Sequence, residues 1–132
     1  MNDLVPMLLC RDAQAAIRFY VDVLGFEVMS RMDDVGRSGF ASLRRGKAQI
    51  MLASPTSVPE APRIGGRYTQ AVYYFYPADV VALREEVMAA GGAPSELAVR
   101  FYGMKEFELV DPEGHVLVFG QATDEPVTPE SR

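Results

Sequence analysis

The sequence predicts an α+β fold of two βαβββ modules in tandem, with curved mixed sheets around a cleft and helices on the outer face. The first observation is a spacing. Asp12 and Gly25 lie 13 positions apart, as do Asp79 and Gly92, so the second pair repeats the first at an offset of 67 residues. The second is an order of elements: in each half an apolar run precedes the Asp and a helix-like stretch runs from it to the glycine. The third is the set of strand-like segments after each glycine, folded about a turn at Arg45-Gly46 and again at Asp111-Pro112-Glu113-Gly114. A repeat of this length used twice is too long for a solenoid and fits duplication of one unit. Two such units can curl their sheets around a shared cleft, and ligand chemistry is expected there.

Leu4 to Cys10 is short and almost wholly apolar, which predicts a buried strand rather than a helix. Asp12 comes next, where a helix N-cap belongs, its carboxylate able to accept from the free amides of the first turn. Ala13, Ala16, Ile17, Tyr20, Val23 and Leu24 recur at three- and four-residue spacing, giving one apolar face that Gly25 ends. Phe26 to Met32 alternates as a strand, residues 33–39 read as loop, and Phe40 to Leu43 forms a hairpin with Ala48 to Ala53 about Gly46. Between Ser54 and Thr69 the pattern is broken by Pro55, Pro59, Pro62 and Gly65-Gly66. This connection fits either a mobile flap over a cleft or a plain linker.

Gln70 to Tyr76 opens the second half as a strand dense in aromatics. Asp79 caps the next helix, where Val80, Leu83, Val87 and Ala90 make the buried stripe and Arg84, Glu85 and Glu86 lie in water. Pro94 to Arg100 is a weaker strand. Met104 to Val110 and His115 to Gln121 are stronger ones, joined by a turn in which Pro112 suits the first bend and Gly114 the position with positive φ. From Ala122 onward, Pro126 and Pro129 among charged residues predict disorder. The expected organisation is one domain over residues 1–121, with modules at 3–54 and 69–121, a connection at 55–68 and a flexible tail at 122–132.

Composition narrows the partners. With 48% hydrophobic residues in 132, the chain can build a real core, and its formal charge is −5. Lys and Arg are outnumbered 13 to 18 by Asp and Glu, so no nucleic acid is expected as a partner. Neutral or cationic small molecules suit this balance better. The single Cys10 has no internal disulfide partner, and its apolar neighbours mark it as a buried small hydrophobe. No stretch reaches the roughly 18 apolar residues a membrane span needs, and no charged leader precedes an apolar run, so a cytoplasmic setting without membrane association is expected.

Two motifs carry a resemblance. Phe19-Tyr20-x-Asp22-Val23-Leu24-Gly25-Phe26 and Glu106-Phe107-x-x-x-Asp111-Pro112-Glu113-Gly114-His115, one in each half, make residues 4–121 similar to the vicinal oxygen chelate superfamily. That superfamily includes glyoxalase I, extradiol dioxygenases and the bleomycin resistance proteins. It hosts many activities, so the resemblance speaks for fold more than for reaction. Its enzymes hold a divalent metal through His or Glu side chains, one from each of four central strands. The resemblance puts Val5, Met51, Val72 and Val118 at those four places, and none of these can bind a hard divalent ion. A slip of one residue at the third place would bring Ala71, and Gln70 lies two away; neither completes a ligand set.

The residues make the same point without the resemblance. Metal sites of this kind need several converging His, Asp or Glu side chains, and the one histidine is His115, expected at an exposed hairpin position. Ser-His-Asp and Cys-His arrangements fail for the same shortage. Gly65-Gly66 stands between neither a strand nor a helix, so it is no phosphate loop. No metal and no cofactor is therefore expected.

The cleft can be lined by alternation. If Asp111 faces His115, then Glu108 lies across from Val118 and Glu106 across from Gly120. Phe107 and Leu109 then join Leu117 and Phe119 against the helices, leaving Glu106 and Glu108 on the cleft side. Those carboxylates are either an attraction for a cation or a solvated strand face. Val72, Tyr74 and Tyr76 share the cleft side, with Tyr73 and Phe75 packed beneath. Tyrosine offers a flat apolar ring with a polar tip, suited to planar aromatic or cationic ligands. Phe101 and Tyr102 are placed to rim the cleft, and Met7 and Met51 to floor it.

The expected function is that of a metal-free binding protein resembling the bleomycin resistance proteins, a homodimer that sequesters a cationic or aromatic compound in a hydrophobic, partly acidic cleft. Antibiotic resistance of this type needs affinity and no chemical step. The alternative is a metal-dependent lyase, isomerase or dioxygenase of the same superfamily with an unconventional site at Glu106, Glu108 and His115. A third reading is a domain that pairs with another protein through its sheet or helix faces.

Overall fold

The βαβββ order occurs twice in a computed structural model that describes residues 1, 3–32, 39–54 and 71–129. The first module runs β1 (Met7–Leu9), α1 (Ala13–Arg18), β2 (Glu27–Met32), β3 (Phe40–Arg45) and β4 (Ala48–Ala53). The second runs β5 (Val72–Phe75), α2 (Val80–Ala89), β6 (Ala98–Val99), β7 (Met104–Val110) and β8 (Val116–Ala122). Each module forms a four-stranded mixed sheet, in the orders β1-β4-β3-β2 and β5-β8-β7-β6. In both, the strand before the helix pairs in parallel with the last strand of the module, and the other pairings are antiparallel. This is the tandem α+β architecture that the repeat predicts. The connection at 55–68, including Gly65-Gly66, and Gln70 lie outside the described residues.

Both helices start as the repeat implies. Asp12 and Asp79 adopt extended backbone, and each carboxylate accepts from the amide three residues on, at 3.0 Å in both cases. Every second strand residue turns toward the helices: Leu8, Ala41, Leu43, Ile50 and Leu52 in the first sheet, Phe107, Leu109, Leu117 and Phe119 in the second. These join Ile17, Tyr20, Leu24, Val80, Leu83 and Val87 in one continuous core. An aromatic line crosses it, with Phe26 edge-on to Phe75 and then Phe119 stacked between Phe75 and Phe107, at centroid separations of 6.3, 4.9 and 5.0 Å. No helix among the described residues is long and apolar enough to cross a membrane.

Several element boundaries depart from the sequence expectation. β1 spans three residues instead of the stretch from Leu4 to Cys10, because Pro6 lacks an amide for the ladder and Leu4 is 87% exposed beyond it. The first helix widens after Arg18 into a π-helical turn, Phe19–Val23, in which the Leu24 amide donates to Phe19 O at 3.3 Å. The strand expected from Pro94 to Arg100 shrinks to β6. There the Ser95 hydroxyl takes the Glu108 amide at 2.8 Å in place of a backbone carbonyl, and the ladder is irregular. In the segment expected as a flexible tail, the Thr128 amide donates to Val99 O at 2.9 Å. The Val99 amide donates in return to the Thr128 hydroxyl at 2.7 Å, and Lys105 pairs with Glu125 at 3.0 Å.

A polar clasp joins the modules. The β7–β8 turn closes with Gly114 at φ +92 and the Asp111 amide donating to His115 O at 3.0 Å, so Asp111 faces His115 as the turn type requires. Asp111 is buried, and its Oδ1 accepts from the amides of Glu113 and His115 at 2.9 Å each. Its Oδ2 accepts from the hydroxyl of Tyr20, a fully buried residue of the first module, at 2.8 Å. Glu113 then reaches the β1–α1 corner, accepting from the Arg11 amide at 2.8 Å and the Asp12 amide at 3.1 Å. His115 is half-buried rather than exposed. Its Nε2 lies 2.9 Å from Leu9 O, and since a carbonyl only accepts, that nitrogen carries the proton. Burial and the Asp111 charge push the Tyr20 phenol far up, and burial pushes the Cys10 thiol up to about 12, with Asp111 and Glu113 adding to it. Both groups stay neutral at physiological pH.

Removing the clasp's central donor should be costly. Tyr20→Phe leaves Asp111 Oδ2 buried without its donor, and the expected loss is about 1–3 kcal/mol, read as a lower denaturation midpoint at unchanged m-value. A loss below about 0.5 kcal/mol, typical of surface substitutions, would show that the hydroxyl contributes nothing to the junction.

Candidate functional site

The sheet faces turned away from the helices carry the half-buried polar and aromatic side chains. On β5, Tyr73 and Phe75 pack against the core while Val72 and Tyr74 take the open face. Tyr74 pairs in register with Val118 on β8, and Glu106 on β7 pairs with Gly120. The Tyr74 ring lies over Gly120, and its hydroxyl donates to Glu106 Oε2 at 2.7 Å. That path exists because residue 120 has no side chain. A Cβ there would lie 1.9 Å from the Tyr74 hydroxyl oxygen and 2.7 Å from its Cζ.

Glu106 is 5% exposed and draws three groups together. Besides Tyr74, its Oε1 accepts from the Tyr102 hydroxyl at 2.8 Å and from Arg100 Nε at 3.3 Å. Arg100 and Tyr102 arrive from the tight β6–β7 turn, where the Gly103 amide donates to Arg100 O at 3.0 Å and Gly103 sits at φ +82. A buried carboxylate with three donors, one of them charged, is fully served. Tyr76 packs on Tyr74 at 5.0 Å between ring centroids, and Phe101, 88% exposed, stands edge-on to Tyr102 at 5.1 Å. Burial raises both the Tyr74 and Tyr102 phenols, and the hydrogen bond to Glu106 and its charge raise them further, with Arg100 opposing at Tyr102.

The remaining expected residues are spread over both sheets. Glu108 is half-buried opposite Val118, on the same face as Glu106. Met7 and Met51 are register partners on the open face of the first sheet, Val5 is half-buried just before β1, Val72 is exposed and Val118 is buried. His115 belongs elsewhere. Its ring lies 6.1 Å from that of Tyr73, on the helix side, and it precedes Val118 by three positions, about 10 Å along a strand. The proposed ligand trio of Glu106, Glu108 and His115 is therefore not brought together. Sequence reasoning missed Arg100 as the counter-charge of Glu106 and Gly120 as the gap that Tyr74 crosses. The signal for the second was present, a glycine closing the apolar run Val116 to Phe119 opposite Glu106.

Two mixed sheets of this topology, each with its helix on one face and a polar-aromatic face on the other, define a class of duplicated α+β fold. The family model of the Glyoxalase/Bleomycin resistance protein/Dioxygenase superfamily matches residues 4–119, and the chain belongs to that superfamily. Among solved structures it is similar to a glyoxalase/bleomycin resistance protein/dioxygenase from Nocardioides, with a TM-score of 0.75 and 17% identity over 100% of this chain and 91% of that one. It is similar also to TioX from Micromonospora sp. ML1, with a TM-score of 0.73 and 24% identity over 92% and 99% of the two chains. Lactoylglutathione lyase from Agrobacterium tumefaciens gives a TM-score of 0.69 and 22% identity over 92% and 94%. Identities at this level bear on the fold alone. No curated protein matches the chain.

The metal that many enzymes of the superfamily carry does not fit the side chains at the four positions that the resemblance assigns to its ligands, Val5, Met51, Val72 and Val118. Valine at three of the four expected ligand positions and a thioether at the fourth supply no donor for a hard divalent ion. Among the described residues, no group of three or more His, Cys, Asp or Glu side chains is placed to hold one elsewhere.

The tyrosine pair makes a pH prediction. Because the folded-state values of Tyr74 and Tyr102 are raised, the stability they contribute is complete below the ordinary tyrosine value of about 10 and falls as pH rises beyond it. Tyrosinate absorbance should show late-titrating phenols in the wild type, and Glu106→Gln should bring them down toward the ordinary range. Superimposable titration curves for the two proteins would contradict the coupling.

Proposed function

We propose that the protein binds and sequesters a cationic or aromatic small molecule on this open face, in the manner of the bleomycin resistance proteins and without a chemical step. The observation that carries the reading is the gathering of Tyr74 and Tyr102 on the buried Glu106, with Tyr76 packed on Tyr74, taken together with the aliphatic and thioether side chains that the resemblance puts at the four metal-ligand positions. Binding alone requires a shaped apolar surface with a few fixed polar groups, and this face offers both.

The chemistry of the polar groups specifies the guest further. Tyr74 and Tyr102 each commit a proton to Glu106, so their oxygens remain as hydrogen-bond acceptors. A ligand rich in N–H donors complements them, and the aromatic rings favour a planar or cationic body. The formal charge of −5 adds a salt-dependent attraction for cations. Neither candidate nucleophile or base takes part: His115 donates to Leu9 O on the helix side, and Cys10 is buried with its thiol protonated. A homodimer completing the cleft belongs to the same proposal and rests on the resemblance.

A thermal-shift screen of cationic and aromatic natural products tests the reading. A ligand held on this face should lose about 2- to 30-fold in affinity on Tyr74→Ala, the range set by aromatic and cation–π contacts of about 0.5–2 kcal/mol. Glu108→Gln should weaken a cationic ligand and leave a neutral aromatic one unchanged. Stabilisation that survives both substitutions in a cationic hit would place its site elsewhere.

A further inference from the structure

The internal repeat pairs two corners of the fold that are finished differently. In the first module the corner Arg11-Asp12 leads into α1, and the carboxylate of Glu113 covers it by accepting from both backbone amides, at 2.8 and 3.1 Å. Its counterpart 67 residues on is Ala78-Asp79, leading into α2. The two corners share their backbone, with φ and ψ of −125 and 90 at Asp12 and −139 and 98 at Asp79. The loop that should cover the second corner is the β3–β4 turn. That turn consists of Gly46 and Lys47 alone, where the β7–β8 turn spans residues 111–115 and carries an acid. The amides of Ala78 and Asp79 consequently have no hydrogen-bond partner among the described residues.

In place of the missing loop there is a groove of about 680 Å³. Its apolar wall is built from Leu24 and Phe26 of the first module and Phe75, Leu83 and Phe119 of the second. Ala78, Asp79 and Lys47 also line it, as do Tyr74 and Tyr76 of the open face. The rim charges are unequally engaged. Arg45 is committed to Glu86, at 2.7 and 3.3 Å, and to Leu24 O at 2.8 Å. The Asp79 carboxylate is committed to the Ala82 amide. Lys47 is exposed and has no ion-pair partner among the described residues. The first corner shows that the N-cap acid is no obstacle to a second carboxylate, because Asp12 caps α1 while Glu113 binds beside it.

We propose that this groove, which meets the open face at Tyr74 and Tyr76, is a second ligand site for an aromatic compound bearing a carboxylate. The carboxylate takes the amides of Ala78 and Asp79 as Glu113 takes those of Arg11 and Asp12, with Lys47 as its counter-charge in the role Arg11 plays for Glu113 at 3.3 Å. The aromatic body lies against Phe26, Phe75 and Phe119. A volume of this size accommodates a two-ring compound, within the range of small-molecule pockets. Since both modules supply its walls, such a ligand bridges them.

The test uses the full chain, isotope-labelled, titrated with naphthoate and with naphthylmethanol as its uncharged counterpart, followed by amide resonances. Naphthoate should move the Ala78 and Asp79 amides more than those of Glu106 and Val118, and should bind at least about tenfold more tightly than the alcohol, a difference of about 1.4 kcal/mol. Lys47→Gln should narrow that preference. Ala82→Trp, which fills the groove from an exposed helix position, should abolish binding while leaving the rest of the spectrum folded. Shifts confined to the open face, equal affinity for acid and alcohol, binding unchanged by Ala82→Trp, or no saturable binding would each overturn the proposal. All of these outcomes leave the open-face reading standing, because its own reporters are Tyr102 and Glu106, which do not line the groove.

Discussion

The hydrogen bond from Tyr20 to Asp111 holds the two halves of the molecule to one another, and the rest of the structure is arranged around it. It is buried on both sides, so neither partner can exchange it for water without opening the core. Asp111 uses its other oxygen on the turn that presents Glu113, and Glu113 covers the corner at which α1 begins. The Asp111 side chain thus shapes the turn that presents Glu113 to the neighbouring module and holds Tyr20, which lies edge-on to Phe26 at the start of the aromatic line. By contrast the second bridge, Arg45 to Glu86, is half exposed on both sides, and such pairs contribute little on their own.

With the modules joined in this way, the open face of the second sheet is built by strand geometry and one missing side chain. Alternation puts Tyr74 and Glu106 on one side of the sheet, register puts Glu106 opposite Gly120, and the bare backbone at Gly120 lets the tyrosine cross to the carboxylate. The result is a rigid aromatic surface whose acid is already satisfied. That differs from a pair of free carboxylates waiting for a cation, and on the binding reading proposed above it favours flat, donor-rich shapes over charge alone. Val5, Met51, Val72 and Val118, the positions that the resemblance assigns to the metal ligands of the superfamily's enzymes, carry no donor for a hard divalent ion.

Much of the fold was legible because it rests on periodicity and local chemistry. The paired Asp caps, the alternating strands and the turn at Gly114 each obey short-range rules, and the register of Glu106 and Glu108 followed by counting from that turn. The π-helical turn at Phe19–Val23 was not legible, since its wider pitch shows only as a hydrogen-bond pattern. Nor was the role of the Asp-Pro-Glu-Gly-His motif. Its residues suit a surface turn, and only the approach of Tyr20, 91 positions away in sequence, turns Asp111 into a buried acceptor. His115 was misplaced for a related reason, because the Leu9 carbonyl that half-buries it comes from the other module. At the site, the tyrosines were readable from alternation, whereas Arg100 required the β6–β7 turn to fold back over Glu106.

Cys10 sits in the core next to the clasp and gives it a built-in reporter. The most direct measurement is the rate of Cys10 alkylation as a function of denaturant, set against global unfolding followed by circular dichroism. If the clasp binds the halves into one body, the free energy of exposing Cys10 equals that of global unfolding, and Asp111→Ala lets labelling proceed through a cheaper partial opening. Labelling of the wild type at a cost well below global unfolding, and unchanged by Asp111→Ala, would mean that the halves part freely and that the junction is not what organises the fold.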